Sequence, residues 1–230
     1  MTKIIVFKRI ATVIALLTSI CSFTFPQIVD ASMTSDEALV LLKDGNIRFS
    51  QDKLANPNRD ASQRTKTAEK GQKPFAIVLS CADSRVPLAL IFDRGIGDIF
   101  GVRVAGNVAG TDQLGSIEYG VEHLGIPLVV VLGHTKCGAV GAVVAGEHAQ
   151  GNLRSITEKI FPAVEKTRKA NPNLPLDQLL DKCAMANVRQ VIHDMTANSA
   201  PIKSAVEKGQ LKIIGAYYDI KSGRVDWLKD

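Results

Sequence analysis

Short apolar runs alternate with longer amphipathic segments along this chain. Four of the runs are rich in β-branched residues and apolar at consecutive positions, a pattern typical of strands buried on both faces of a parallel sheet. These predicted strands are FAIVLS (75–80), IFGVRVA (99–105), PLVVVLG (127–133) and KIIGAY (212–217). A shorter segment, GRVDWL (223–228), is predicted to be an added edge strand.

The segments between the strands show the period of amphipathic helices. Such helices are predicted over 111–125, 154–170 and 177–198. Thr34 and Glu37 have the spacing of a capping box, so an N-terminal helix is expected to start there. The alternation predicts an α/β fold: a mostly parallel central sheet flanked by helices, with an N-terminal helical arm and a C-terminal edge strand.

Residues 51–73 show neither period. They are polar and basic, and a segment of this kind offers no continuous apolar face to a core. They are therefore predicted to be a long loop or an extended arm that packs on another part of the protein.

The first thirty-one residues differ from the rest of the chain. Three basic residues precede the apolar stretch IATVIALLTSICSFTF, and small residues surround Ala31. This pattern predicts a secretory signal peptide over 1–31, followed by a single domain over 32–230. The protein is then expected to be exported, to a periplasm or outside the cell, with only transient membrane contact through the signal peptide. A retained membrane anchor is the alternative.

Charge argues against a nucleic-acid partner. The net charge of +5 comes from 28 Lys and Arg against 23 Asp and Glu. Removal of residues 1–31, which hold three of the bases and Asp30, would leave +3. The acids and bases are interspersed, so no basic stripe is present and no nucleic-acid binding is expected.

Three cysteines follow Ala31: Cys81, Cys137 and Cys183. An odd number does not suit a disulfide framework, although a Cys81–Cys137 bridge remains an alternative. Cys183 falls on an apolar helix face, where a small buried side chain is the expected role.

Two short motifs follow predicted strands, CADSR (81–85) and GHTKCG (133–138). In open α/β sheets, ligands bind beyond the carboxyl ends of the strands. Cys81, His134 and Cys137 supply the thiolate and imidazole groups that zinc prefers, and three protein ligands with one open position are typical of catalytic zinc. The motifs therefore predict a catalytic zinc site.

Asp83 and Arg85 are candidates for the chemistry at the open position. A carboxylate two residues after a metal ligand can accept a hydrogen bond from water or become a fourth ligand. A guanidinium two residues further on can hold that carboxylate in a bidentate pair. An ordinary ion pair that stabilises a turn is the alternative.

The segments CADSRV (81–86), RVAGN (103–107) and GHTKCGA (133–139) resemble the signature of the β-class carbonic anhydrases, and the resemblance extends over nearly all of residues 32–230. It implies a zinc lyase, a carbonate dehydratase, that reversibly hydrates carbon dioxide to bicarbonate and a proton. It also implies that Cys81, His134 and Cys137 bind Zn²⁺ and that Asp83 and Arg85 are catalytic.

The same resemblance implies a substrate pocket that is built across a dimer interface. Gln72, Phe100 and Tyr119 match positions that bind substrate in this pocket, so a homodimer or a dimer of dimers is expected. Some bacterial members hold a regulatory bicarbonate with a Trp three residues before the first Cys. Val78 stands there in this chain, so no such Trp-dependent site is expected, although Arg103 is present.

Two other functions remain open from the motifs. Hydrolysis of carbonyl sulfide or carbon disulfide uses the same ligands and the same Asp–Arg pair, with substrate access deciding between the reactions. A non-catalytic zinc module, in which the metal only stabilises a dimer or binds a partner, would make Asp83 dispensable.

Overall fold

The central sheet has five strands, which a computed structural model describes together with the rest of residues 33–147 and 149–229. The strands are β1 (Ala76–Ser80), β2 (Ile99–Arg103), β3 (Leu128–His134), β4 (Lys212–Tyr218) and β5 (Val225–Trp227). Their order is β2-β1-β3-β4-β5; the first three pairings are parallel and β5 is antiparallel to β4. The predicted α/β fold with a mostly parallel sheet and a C-terminal edge strand is confirmed.

Helices flank this sheet on both faces. They are α1 (Ser35–Ser50), α2 (Ala61–Lys70), α3 (Leu88–Ile91), α4 (Thr111–Glu122), α5 (Gly138–Ala145), α6 (Leu153–Ala170), α7 (Leu176–Asn198) and α8 (Ala200–Glu207). The three helices predicted between strands are α4, α6 and α7, and α1 begins at the predicted capping box of Thr34 and Glu37.

Alternate residues of the central strands face opposite cores. Ile77 and Leu79 of β1 lie in one apolar cluster with residues of α4, α7 and α8, whereas Ala76 and Val78 lie in another with residues of α1 and α3. Every residue of β1 and β3 is buried. These two strands therefore form a rigid centre, and their carboxyl ends are fixed with respect to each other.

The strand β2 differs from its prediction. Its consecutive apolar residues indicated burial on both faces, yet only Val102 is buried, because β2 is at the edge of the sheet and has a neighbour on one side only. The strand also ends at Arg103 rather than at 105. A 3-10 turn over Ala105–Asn107 follows, in which Gly106 has a φ of +67°.

The prediction of a long loop or extended arm over 51–73 is partly wrong, because ten of these residues form α2. Asp60 caps this helix by accepting a hydrogen bond from the Gln63 amide at 2.9 Å. None of its residues is buried, so the helix lacks the apolar period on which the prediction depended. The segment packs on its own chain: Gln63 Nε2 donates to the carbonyl of Ile96.

The edge of the sheet beside β5 is fastened to α1 by Asn46, which is buried. Its Nδ2 donates to the carbonyls of Ile91 and Gly223, at 3.1 and 2.9 Å, and its Oδ1 accepts from the Val225 amide at 2.8 Å. All of the amide's heteroatoms are thus hydrogen-bonded, and the N-terminal helix is part of the folded unit that holds the sheet.

The predicted signal peptide, 1–31, lies outside the residues that the structure describes. Within 33–147 and 149–229, none of the helices is both long enough and apolar enough to span a bilayer.

Candidate active site

Two of the predicted metal ligands come together because β1 and β3 are parallel neighbours. Cys81 follows the last residue of β1, and His134 is the last residue of β3. In the register of the pair, Ser80 is opposite Leu132. The chain continues from β1 to β2 on one side while β3 lies on the other, so both residues lie at a topological switch point, where open α/β sheets bind ligands.

A tight turn returns the third ligand to the other two. Lys136 has a φ of +55°, a left-handed conformation, and Cys137 then serves as the N-cap residue of α5. The turn is held by Thr135, whose amide donates to the carbonyl of Tyr218 and whose Oγ1 accepts from the Ile220 amide. The ligand atoms of Cys81, His134 and Cys137 all lie within 4.8 Å of one another, and all three residues are buried.

The imidazole of His134 has the tautomer and the burial that suit a cation ligand. Its Nδ1 lies 2.9 Å from the carbonyl of Thr135, and because a carbonyl can only accept, Nδ1 carries the proton. In the neutral imidazole, Nε2 is then the nitrogen with a free lone pair. It is buried and has no hydrogen-bond partner among the residues that the structure describes. A buried lone pair of this kind fits a metal, and the carbonyl that fixes the tautomer is typical of metal-ligating histidines.

The two thiols form a coupled acid pair. The side chain of Cys137 hydrogen-bonds to Cys81 and so lowers the pKa of the Cys81 thiol. The same bond, together with burial, raises the pKa of the Cys137 thiol. All three described cysteines are free, so no Cys81–Cys137 disulfide is present. Two thiolates at this distance need a compensating cation, which a divalent zinc ion supplies. The residues therefore fit zinc.

Asp83 and Arg85 form the bidentate pair that the sequence indicated. Arg85 Nε donates to Asp83 Oδ1 at 2.9 Å and Arg85 Nη2 donates to Asp83 Oδ2 at 2.6 Å. These bonds hold the pKa of the Asp83 carboxyl far below its usual value. Arg85 Nη2 also donates to the carbonyl of Lys136 at 3.2 Å. The pair consequently joins the loop after β1 to the turn after β3.

Arg103 hydrogen-bonds to the backbone of the loop after β1, a role that the sequence did not determine. From the end of β2, its Nε donates to the carbonyl of Cys81 at 3.2 Å and its Nη2 donates to the carbonyl of Asp83 at 2.7 Å. The amide of Gly106 donates to the sulfur of Cys81 at 3.3 Å. The RVAGN segment thus supports Cys81. In the sequence, only the occurrence of this segment between the two motifs indicated such a role.

The other predicted site residues lie elsewhere in the single chain. Gln72 is exposed and precedes β1, so the whole strand, roughly 16 Å for its five residues, separates it from Cys81. Phe100 and Tyr119 lie together, with ring centroids 6.3 Å apart, and Tyr119 is 48% exposed. The structure therefore brings the metal ligands and the Asp–Arg pair together, and it places Gln72 at the opposite end of β1.

Comparison with known proteins gives one family. The carbonic anhydrase family model matches residues 76–225. Carbonic anhydrase 2 of Mycobacterium tuberculosis is 38% identical over 187 residues, which are 80% of this chain and 87% of the relative. The β-carbonic anhydrase CafA of Aspergillus fumigatus has a TM-score of 0.68 at 28% identity, over 84% of this chain and 90% of that one. A tetrameric β-carbonic anhydrase of Sordaria macrospora gives 0.62 at 25%, over 74% and 89%.

Replacement of one sulfur tests the metal centre. We expect Cys137→Ser to lower the affinity for zinc by at least about 100-fold, because a buried hydroxyl does not replace a thiolate as a ligand. Zinc content per chain after dialysis, and competition with a chromophoric chelator, measure the change. Cys183→Ser, the same change at a buried cysteine outside the cluster, should keep its zinc. Equal zinc retention by the two variants would contradict the assignment.

Proposed function

We infer, because this chain belongs to the β-class carbonic anhydrase family, that Cys81, His134 and Cys137 are its zinc ligands and that Asp83 and Arg85 are its catalytic pair. Membership gives the activity: the protein is a zinc lyase that reversibly hydrates carbon dioxide to bicarbonate and a proton. The observation that carries the site assignment is the convergence of two thiols and one imidazole within 4.8 Å.

Residues beside the three metal ligands must help to activate the reacting water. When bound, zinc supplies a Lewis acid that makes water acidic enough to act as a nucleophile near neutral pH. Cys81 and Cys137 contribute two negative charges that offset those of the cation, so the acidifying effect is smaller than with three neutral histidines. Additional help must come from hydrogen bonding, and Asp83 is the nearest carboxylate in sequence to a ligand.

Asp83 orients the reacting water. Since Arg85 keeps its pKa low, the carboxyl is ionised and can only accept hydrogen bonds. It accepts a hydrogen bond from the water and thereby directs a lone pair of that oxygen toward the carbon of carbon dioxide. The released proton passes to buffer.

Arg85 keeps Asp83 available for this role. Both carboxylate oxygens of Asp83 are engaged by Arg85, and Asp83 is not a member of the ligand group formed by Cys81, His134 and Cys137. With three protein ligands, a position is left for the reacting water, as in catalytic rather than structural zinc sites. Arg85 therefore holds the carboxylate beside the metal centre instead of on it.

Asp83→Asn separates catalysis from metal binding. We expect zinc content to stay at the wild-type level and the rate of carbon dioxide hydration to fall by at least about 100-fold, because an amide can donate a hydrogen bond to the water and misorient it. Stopped-flow hydration assays and metal analysis on the same preparation measure both. Asp226→Asn, at an exposed position of β5, is the matched control. A wild-type rate for Asp83→Asn would favour the non-catalytic zinc module.

We propose further that the substrate pocket is completed by a second copy of the chain. The position of Gln72 at the far end of β1 supports this, because the residue cannot reach the metal ligands of its own chain across a buried strand. Phe100 of the edge strand β2 and the half-exposed Tyr119 of α4 lie together and offer an apolar surface for a partner. The tetrameric Sordaria macrospora enzymes make a homodimer, or a dimer of dimers, the expected assembly.

Co-expression of two inactive variants tests the shared pocket. If Gln72 serves the partner's metal centre, a dimer of one Gln72→Ala chain and one Asp83→Asn chain contains one intact site. The purified mixed dimer should therefore show about half of the wild-type activity, whereas each variant alone stays low. Restoration is measured on the purified mixed dimer, selected with two different affinity tags. If the mixed dimers are no more active than the separate variants, Gln72 does not serve the partner's site. It then acts in the same site as Asp83 of its own chain, or in no site.

We propose also that residues 1–31 direct export, on the strength of their basic start, apolar stretch and small residues around Ala31. Expression of the full chain in a bacterial host, followed by fractionation and N-terminal sequencing, tests this. The expected product is found outside the cytoplasm and begins at Ser32. A cytoplasmic protein that retains residues 1–31 would refute export, and a membrane-bound full-length protein would identify an anchor.

A further inference from the structure

A buried amide in α7 stands out from the apolar face around it. Asn187 has no solvent exposure. Its neighbours on the buried face of the helix include Cys183, Ala184, Val188 and Val191. A primary amide in such surroundings is unfavourable unless its polar atoms are hydrogen-bonded. An aliphatic side chain would suit this part of the core better, so the bond that Asn187 does make requires an explanation.

That bond goes to the turn beside the metal centre. Asn187 Nδ2 donates to the carbonyl of Gly106 at 2.9 Å, and because the partner is a carbonyl, the nitrogen of the amide must face it. Asn187 Oδ1 has no partner among the residues that the structure describes. Only one half of the amide is therefore satisfied, and that half is directed at Gly106.

Gly106 contacts the first metal ligand. Its amide donates to Cys81 Sγ at 3.3 Å. Its φ of +67° favours glycine, and an added Cβ would lie 2.6 Å from Ile160 Cδ1 and 3.3 Å from Ala139 Cβ. A side chain at this position would therefore strain the backbone and require Ile160 to shift. Glycine is also the residue with the least conformational restriction, so this turn needs an external anchor to keep its amide directed at the sulfur.

Asn187 supplies that anchor. The Gly106 amide and the Gly106 carbonyl belong to successive peptide groups, and only the two torsions of Gly106 separate them. Fixing the carbonyl therefore limits the direction of the amide. We propose that Asn187 is a positioning residue of the metal centre, which acts through Gly106 to keep an N–H···S hydrogen bond on Cys81. The inference depends on the proposed role of Cys81 as a zinc ligand.

The expected effect is on the electrons of the sulfur. A hydrogen bond to a ligating thiolate stabilises its lone pairs and reduces the charge that it donates to the cation. Without the anchor, the orientation of the Cys81 sulfur is less well fixed, which weakens cation binding, and the sulfur holds its electrons less tightly, which lowers the energy of charge transfer to the metal. Outer partners of metal ligands typically change metal affinity by about 10- to 100-fold.

Asn187→Leu tests the proposal, because leucine has nearly the same shape and no donor. In the cobalt-substituted protein, the thiolate-to-cobalt charge-transfer band should move to longer wavelength, and competition with a chelator should show cobalt and zinc bound at least about 10-fold more weakly. Asn187→Ala should give the same shift. Val191→Ala, a loss of packing one turn further along α7, should destabilise the fold and leave the band at its wild-type position.

Several results would overturn the proposal. One is an unshifted band and a wild-type affinity in both Asn187 variants. A second test uses only the wild-type protein. With cadmium-113 bound, the Gly106 amide proton should show scalar coupling to the metal through Cys81 Sγ. A missing coupling refutes the hydrogen bond even if no Asn187 variant folds. If wild-type cobalt protein has no thiolate band, the metal assignment itself fails and this inference fails with it. A normal wild-type band that Asn187→Leu leaves unchanged refutes the inference alone.

Discussion

The structure depends on one electrostatic requirement: two sulfur atoms and an imidazole nitrogen are buried within 4.8 Å of one another and cannot all be satisfied by protein groups. The thiols compete for protons, and His134 Nε2 has no partner among the described residues. A divalent cation satisfies all three at once. Binding of such a cation is then part of folding, because the arrangement is costly without it.

The surrounding chain is organised to keep these atoms in place. The parallel register of β1 and β3 sets the separation of Cys81 and His134, and the left-handed residue Lys136 returns Cys137 toward them. Arg85 then spans both loops. The Asp83 carboxylate is thus oriented by Arg85, which also contacts the turn that carries Cys137, so the Asp–Arg pair and the Cys81–His134–Cys137 cluster share one scaffold.

Local patterns were sufficient to predict the strands, the longer helices and the side chains that cluster as Cys81, His134 and Cys137, because β-branched runs and the spacing in CADSR and GHTKCG are contained in single segments. They failed for α2, which buries nothing, and for α5, whose apolar residues have no helical period. They also gave the wrong burial for β2, because exposure depends on position in the sheet. The bond between Asn187 and Gly106 joins residues 81 positions apart, and no short motif could indicate it.

The burial of the ligand sulfurs has a consequence for the biogenesis of the protein. Cys81 is 5% exposed and Cys137 is 1% exposed, so an oxidising enzyme or a small disulfide has almost no access to either sulfur once the domain has folded. Sulfur oxidation requires an accessible thiolate. The vulnerable period is therefore confined to the nascent, unfolded polypeptide, and protection afterwards is steric and independent of the redox potential of the compartment.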